Sequence, residues 1–109
     1  KNDKPYLVLG TPGGSTIITT VFQNILNVAL HGMDIKEAVS SPRIHSQWLP
    51  DMVFYEKYGL SKDIIDNLKS RGHDMKLRGN IGEANGIMIN DEGYWGGADS
   101  RGENTAVGY

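Results

Sequence analysis

No stretch of this sequence constrains the fold more than Thr16 to His31. Ile17, Ile18, Val21, Phe22, Ile25, Val28 and Ala29 share one face at ~100° per residue, within an arc of roughly 140°. Thr19, Thr20, Gln23, Asn24 and Asn27 take the opposite face. The pattern predicts an amphipathic helix, and such a helix turns its apolar stripe toward a core. Ser15 or Thr16 is the expected N-cap, with His31 in the last turn and Gly32 as the stop. Directly before it, "PYLVLG" (Pro5 to Gly10) reads as a buried strand, and "TPGGS" connects the two.

The rest of the chain supplies shorter elements. Asp34 caps a second helix, "DIKEAVSS", which Pro42 ends. "PRIHSQWLP" is bounded by two prolines and is expected to be irregular. "MVFYE" (Met52 to Glu56) reads as a strand. Ser61 caps "SKDIIDNLKSRG", with Ile64, Ile65 and Leu68 as its apolar stripe and Gly72 as its stop. "DMKLR" (Asp74 to Arg78) is a weak strand. "ANGIMIN" (Ala84 to Asn90) and "YWGGA" (Tyr94 to Ala98) flank the turn "DEG" as a hairpin. The tail "DSRGENTAVGY" is loop-like and closes on a short extended segment. The order β, long α, short α, β, α, then strands makes an α+β fold with an antiparallel portion.

Composition narrows the function classes. Apolar residues at 39% and charged residues at 22% describe a globular chain rather than a disordered one. A net charge of −2 leaves no electrostatic footprint for nucleic acid. No apolar run approaches the ~20 residues of a membrane span. Cysteine is absent, which removes disulfides, Cys-zinc sites and a Cys nucleophile. The first residue is Lys1, not Met, so an internal piece of a longer protein is expected.

Gly13 and Gly14 are the chemical question. Two glycines let a backbone approach a ligand where a Cβ would block it. They stand at the entry to a helix, whose N-terminus favours an anion. A phosphate does not fit the pattern. No Lys follows as in a P-loop, and Gly10, Gly13 and Gly14 lack dinucleotide-fold spacing. From the residues alone, a bare strand-to-helix turn and an anion site both stand.

The surrounding residues resemble a known family. "LGTPGGSTIITTVFQNILNV" is similar to the G-S-P-G-G-S-x-I-I-T-T segment in the small subunit of γ-glutamyltranspeptidases. "GMDIKEAVSSPRIHSQWLPD", "GLSKDIIDNLKSRGH", "GEANGIMI", "GYWGGADSR" and "AVGY" resemble later segments of that subunit, in the same order. Thr11 and Ser100 depart from the commoner Ser and Pro.

The resemblance implies part of an N-terminal-nucleophile hydrolase, an αββα sandwich, with residues 1–109 as a single fragment from the C-terminal portion of the small subunit. It implies an enzyme that cleaves γ-glutamyl amides such as glutathione through a Thr acyl-enzyme. The acyl group then passes to water, amino acids or peptides. Carried over residue by residue, the P-G-G pair falls on Gly13 and Gly14 as oxyanion hole and part of the γ-glutamyl pocket. The nucleophilic Thr is expected outside these residues, so the chain alone should be inactive. No cofactor and no metal are implied. The implied partners are the rest of the small subunit and the large subunit of one self-cleaving precursor, at a periplasmic or extracellular location. A related acylase or poly-γ-glutamate transferase, and a noncatalytic scaffold, are the alternatives.

Other residues suggest less chemistry. His31, His45 and His73 lack the partner spacing of a metal or catalytic site and are expected to be structural or at the surface. Arg43 and Asp51 are expected either to pair or to lie solvated. Trp48 and Trp95 are expected to pack apolar surface. Glu83, Asn85, Asp99 and Arg101 receive no assigned role.

Overall fold

A computed structural model describes residues 1–108; Tyr109, the last residue of "AVGY", lies outside the described residues. Strand β1 (Leu7–Gly10) leads through the glycine turn into helix α1 (Thr16–Ala29). Helix α2 (Ile35–Ser40) follows, with Asp34 accepting from Glu37 N–H at 2.7 Å as its cap. Strand β2 (Ile44–His45), strand β3 (Val53–Glu56), helix α3 (Lys62–Ser70) and strand β4 (Met75–Arg78) come next. Strands β5 (Asn85–Asn90) and β6 (Gly93–Ala98) close the fold as a hairpin.

Two three-stranded sheets result. One has the order β1-β5-β6 and is antiparallel throughout. The other has the order β2-β3-β4, in which β3 and β4 run parallel and β2 is antiparallel. The parallel pair needs a crossover, which α3 supplies. In the first sheet the period-2 alternation sends Leu7, Leu9 and Met88 inward. There they meet the buried core of Val28, Ile35, Ala38, Val39 and Ala84. Val8 and its cross-strand partner Ile87 stay exposed on the opposite face.

Several expectations are corrected. Helix α1 ends at Ala29, so His31 lies beyond it, and Ser15 makes no side-chain capping bond. The expected inward face of α1 is largely the outward one. Ile17, Ile18, Phe22 and Ile25 are exposed, while Thr16, Thr20, Asn24 and Val28 form the buried ridge. Beneath it, Thr20 faces the backbone of Gly82, and Asn24 donates to Thr20 C=O at 2.8 Å, while Val28 alone of this ridge joins the hydrophobic core. Gln23 donates to Ile44 C=O at 2.8 Å and accepts from Ile44 N–H at 3.0 Å, standing in for a strand beside β2. The proline-bounded stretch is not wholly irregular, because that pairing and β3 hold Ile44 and His45 in a short strand. Trp48 is 80% exposed, and Trp95 is exposed with its indole N–H on Asn90, so neither is packed away. The tail after Asp99 contains no strand among the described residues.

Candidate active site

The glycine turn is built from its neighbours outward. Gly13 has φ +139° and Gly14 φ +57°, backbone angles that a side chain disfavours. Gly13 C=O accepts from Thr16 N–H at 3.1 Å and from the Thr16 hydroxyl at 2.9 Å. Gly14 C=O accepts from Ile17 N–H at 3.1 Å. Both glycines are exposed, and neither of their N–H groups finds an acceptor among the described residues. The 14-residue helix α1 adds partial positive charge at this end. The turn therefore offers two free donors in a field that favours negative charge.

A loop of residues 81–84 supports the turn from below. Glu83 N–H donates to the Thr11 hydroxyl at 3.0 Å. Gly82 has φ +69° and lies so close that a Cβ there would come within 2.6 Å of the Thr20 hydroxyl and 2.9 Å of the Thr11 hydroxyl. Ile81 and Ala84, at the loop's two ends, are fully buried.

Four charged side chains anchor this loop. Glu56 accepts from Ile81 N–H at 2.7 Å, Arg43 N–H at 2.8 Å, and Arg101 Nε at 2.7 Å and Nη2 at 2.5 Å. Asp99 accepts from Ala84 N–H at 2.7 Å, Arg43 Nη2 at 2.8 Å, and Arg101 N–H and Nη1 at 2.9 Å each. Each carboxylate oxygen thus accepts two hydrogen bonds. Arg43 also donates to Ile81 C=O at 2.8 Å. Burial alone would push both carboxyls up. The hydrogen bonds from the arginines and from backbone N–H groups outweigh it and hold both below their ordinary values. Burial holds the Arg43 guanidinium below its usual value, whereas the two carboxylates hold Arg101 above its own against the opposing effect of burial.

The expected Arg43–Asp51 relation is corrected. Arg43 is 2% exposed and pairs with Asp99, while Asp51 is exposed. The residue types alone do not reveal this, because the four members are scattered over 59 positions (43 to 101). One local signal exists: Glu56 closes an otherwise apolar strand. His45 is structural, buried between Thr19 Oγ1 at 2.7 Å and Gln47 Oε1 at 2.9 Å. Among the described residues no three His, Asp or Glu side chains gather as a metal site. Thr20 is fully buried, and Thr19 is held within α1 by His45 and Thr16 C=O.

Comparison with known proteins matches this chain over residues 1–109 to the family model described as gamma-glutamyltranspeptidase. It is 41% identical over 102 residues to the glutathione hydrolase proenzyme of Escherichia coli, covering 93% of this chain and 17% of that protein. The corresponding proenzyme of Bacillus subtilis is 37% identical over 111 residues, covering 99% of this chain and 19% of that one. A solved gamma-glutamyltranspeptidase from Pseudomonas nitroreducens, complexed with L-DON, superimposes with a TM-score of 0.92 at 34% identity. That match covers all of this chain and 58% of the solved one. The chain therefore spans less than a fifth of the length of these two curated relatives. The α+β fold expected from the sequence, part of an N-terminal-nucleophile hydrolase, is the fold the solved relative shares.

Proposed function

This chain belongs to the γ-glutamyltranspeptidase family, and from that premise we propose that it supplies the oxyanion-binding turn of an enzyme cleaving γ-glutamyl amides such as glutathione. The observation that carries this reading is the pair of free N–H donors at Gly13 and Gly14, exposed at the start of α1.

Attack on an amide carbonyl builds negative charge on its oxygen. Preorganised backbone donors lower that barrier, each contributing on the order of 3–4 kcal/mol. Because the uncleaved amide is neutral, the donors stabilise the transition state more than the bound substrate. The turn also forms one wall of the γ-glutamyl pocket. The nucleophile is a Thr of another segment, acting through its own free amine. It forms the γ-glutamyl-enzyme, which water, an amino acid or a peptide then relieves of its acyl group.

The remainder of the small subunit and the large subunit are the partners in this reading. Two apolar surfaces support it. One is the outward face of α1. The other is the outer face of the β1-β5-β6 sheet, where Val8, Ile87 and Val107 border an open groove of about 560 Å³. Exposed apolar patches of this kind mark interaction surfaces.

The test is p-nitroaniline release from γ-glutamyl-p-nitroanilide. The full-length protein is expected to turn over and the 109-residue chain is not. Robust turnover by the purified 109-residue chain would place the nucleophile within it and overturn the assignment.

A further inference from the structure

A trans peptide unit is planar, so fixing its C=O also fixes the direction of the N–H on the next residue. The only cis peptide among the described residues is Leu49–Pro50, so the peptides at Pro12–Gly13 and Gly13–Gly14 are both trans. The Thr11 hydroxyl donates to Pro12 C=O at 2.7 Å, and that carbonyl shares its plane with Gly13 N–H. The Thr16 hydroxyl donates to Gly13 C=O at 2.9 Å, beside the Thr16 N–H at 3.1 Å, and that carbonyl shares its plane with Gly14 N–H. Each free donor is thus oriented from behind by a different threonine.

The two threonines are themselves held. Thr11 Oγ1 accepts from Glu83 N–H at 3.0 Å, so both its hydrogen and one of its lone pairs are engaged. Thr16 is 2% exposed. A side chain at Gly13 would overlap the Thr16 hydroxyl, so that glycine also keeps room for the bond.

We propose that Thr11 and Thr16 are positioning residues that aim the Gly13 and Gly14 N–H groups at the substrate oxygen. This rests on the oxyanion assignment above and adds to it the means by which the donors are oriented. Free glycine peptides rotate easily. A donor held in place costs no reorganisation during the reaction, and misplacement by about 1 Å in such a site costs up to about 100-fold in rate.

The experiment uses the full-length protein, with kcat counted per active site by burst titration on γ-glutamyl-p-nitroanilide. Thr11→Val and Thr16→Val remove the hydroxyls at nearly constant volume. Each is expected to lower kcat at least about tenfold while KM moves less than about threefold, a split that marks an interaction made in the transition state. Thr11→Ser and Thr16→Ser keep the hydroxyl and are expected to restore kcat to within about threefold of wild type. Thr11 is only half-buried, so its variants decide the matter should Thr16→Val fail to fold. A folded Thr11→Val protein with wild-type kcat overturns the proposal. Amide-to-ester replacement at Gly13 and at Gly14 separates this failure from that of the assignment beneath it. If the esters lower kcat about 100-fold and the valines do nothing, the aiming role falls and the oxyanion hole stands. If the esters also do nothing, both fall.

Discussion

Arg43 and Asp99 are at most 2% exposed, whereas Ile18 of helix α1 is 78% exposed and Phe22 58%. Charge lies inside and hydrocarbon outside, within one small chain. Placing an ion in the interior costs several kcal/mol unless its hydrogen bonds are replaced. Here the replacement is nearly complete, with eight bonds shared over four carboxylate oxygens. The hub supplies every bond to its two carboxylates from within, and Arg43 Nε is its one buried donor without a partner among the described residues. The outward face of α1 has nothing equivalent, and its hydrocarbon meets water unless another surface covers it. The comparison teaches that hydropathy reports what a surface can pair with, and the fold decides where that partner stands.

The sharpest way to break this contrast is to remove one member of the hub. Asp99→Ala leaves Arg43 without its carboxylate partner and Ala84 N–H without an acceptor, and in the full-length protein it is expected to cost about 3–5 kcal/mol in denaturant unfolding. A loss below about 1 kcal/mol would show that the hub is not closed as described. Next comes the apolar face. Phe22→Asp is expected to change the stability of the 109-residue chain by no more than about 0.5 kcal/mol. In the full-length protein it should cost about 2–3 kcal/mol, if α1 is covered there. Equal effects in the two would end the distinction between covered and bare.

Acid sharpens the comparison further. Glu56 and Asp99 are held below their ordinary values of 4.5 and 3.8, so the unfolded chain takes up protons first as pH falls. Their stabilisation is full above those ordinary values and is lost as pH drops through the depressed ones. Unfolding midpoints measured from pH 7 to pH 3 should fall steeply for wild type and less steeply for Glu56→Gln. The smallest expected effect is on the surface. Lys62 and Asp66 pair on exposed α3, and Lys62→Ala is expected to shift stability by no more than about 0.5 kcal/mol at moderate salt.

Much of the architecture could be read from local pattern. Asp34 and Pro42 bracket α2, the glycine pair marks the entry to α1, and the alternation around "GIMI" marks β5, because each signal sits within a few residues. Strand β2 escaped because two residues carry no periodicity, and its partners, Gln23 and β3, lie elsewhere in the chain. The burial of α1 came out inverted because a moment shows which side is apolar and not which side is covered. At the candidate site, the glycines were legible through their type and place. The supports were not, since Glu56 and Asp99 accept from backbone far away along the chain, and the Glu83 N–H reaches the distant Thr11 hydroxyl.

That distance has a consequence for how the molecule comes together. The bond from Arg43 to Asp99 spans 56 positions, and the one from Arg101 to Ser41 C=O spans 60. Contacts of such separation form late, after the entropy of the intervening loop has been overcome. During synthesis the chain emerges from its N-terminal side, so β1, the glycine turn and α1 are exposed well before residues 99–101 arrive. Until then the 81–84 loop lacks the Asp99 anchor at Ala84 N–H and the turn above it has no finished floor. The glycine turn thus closes through local bonds, while the floor beneath it waits on residues far downstream.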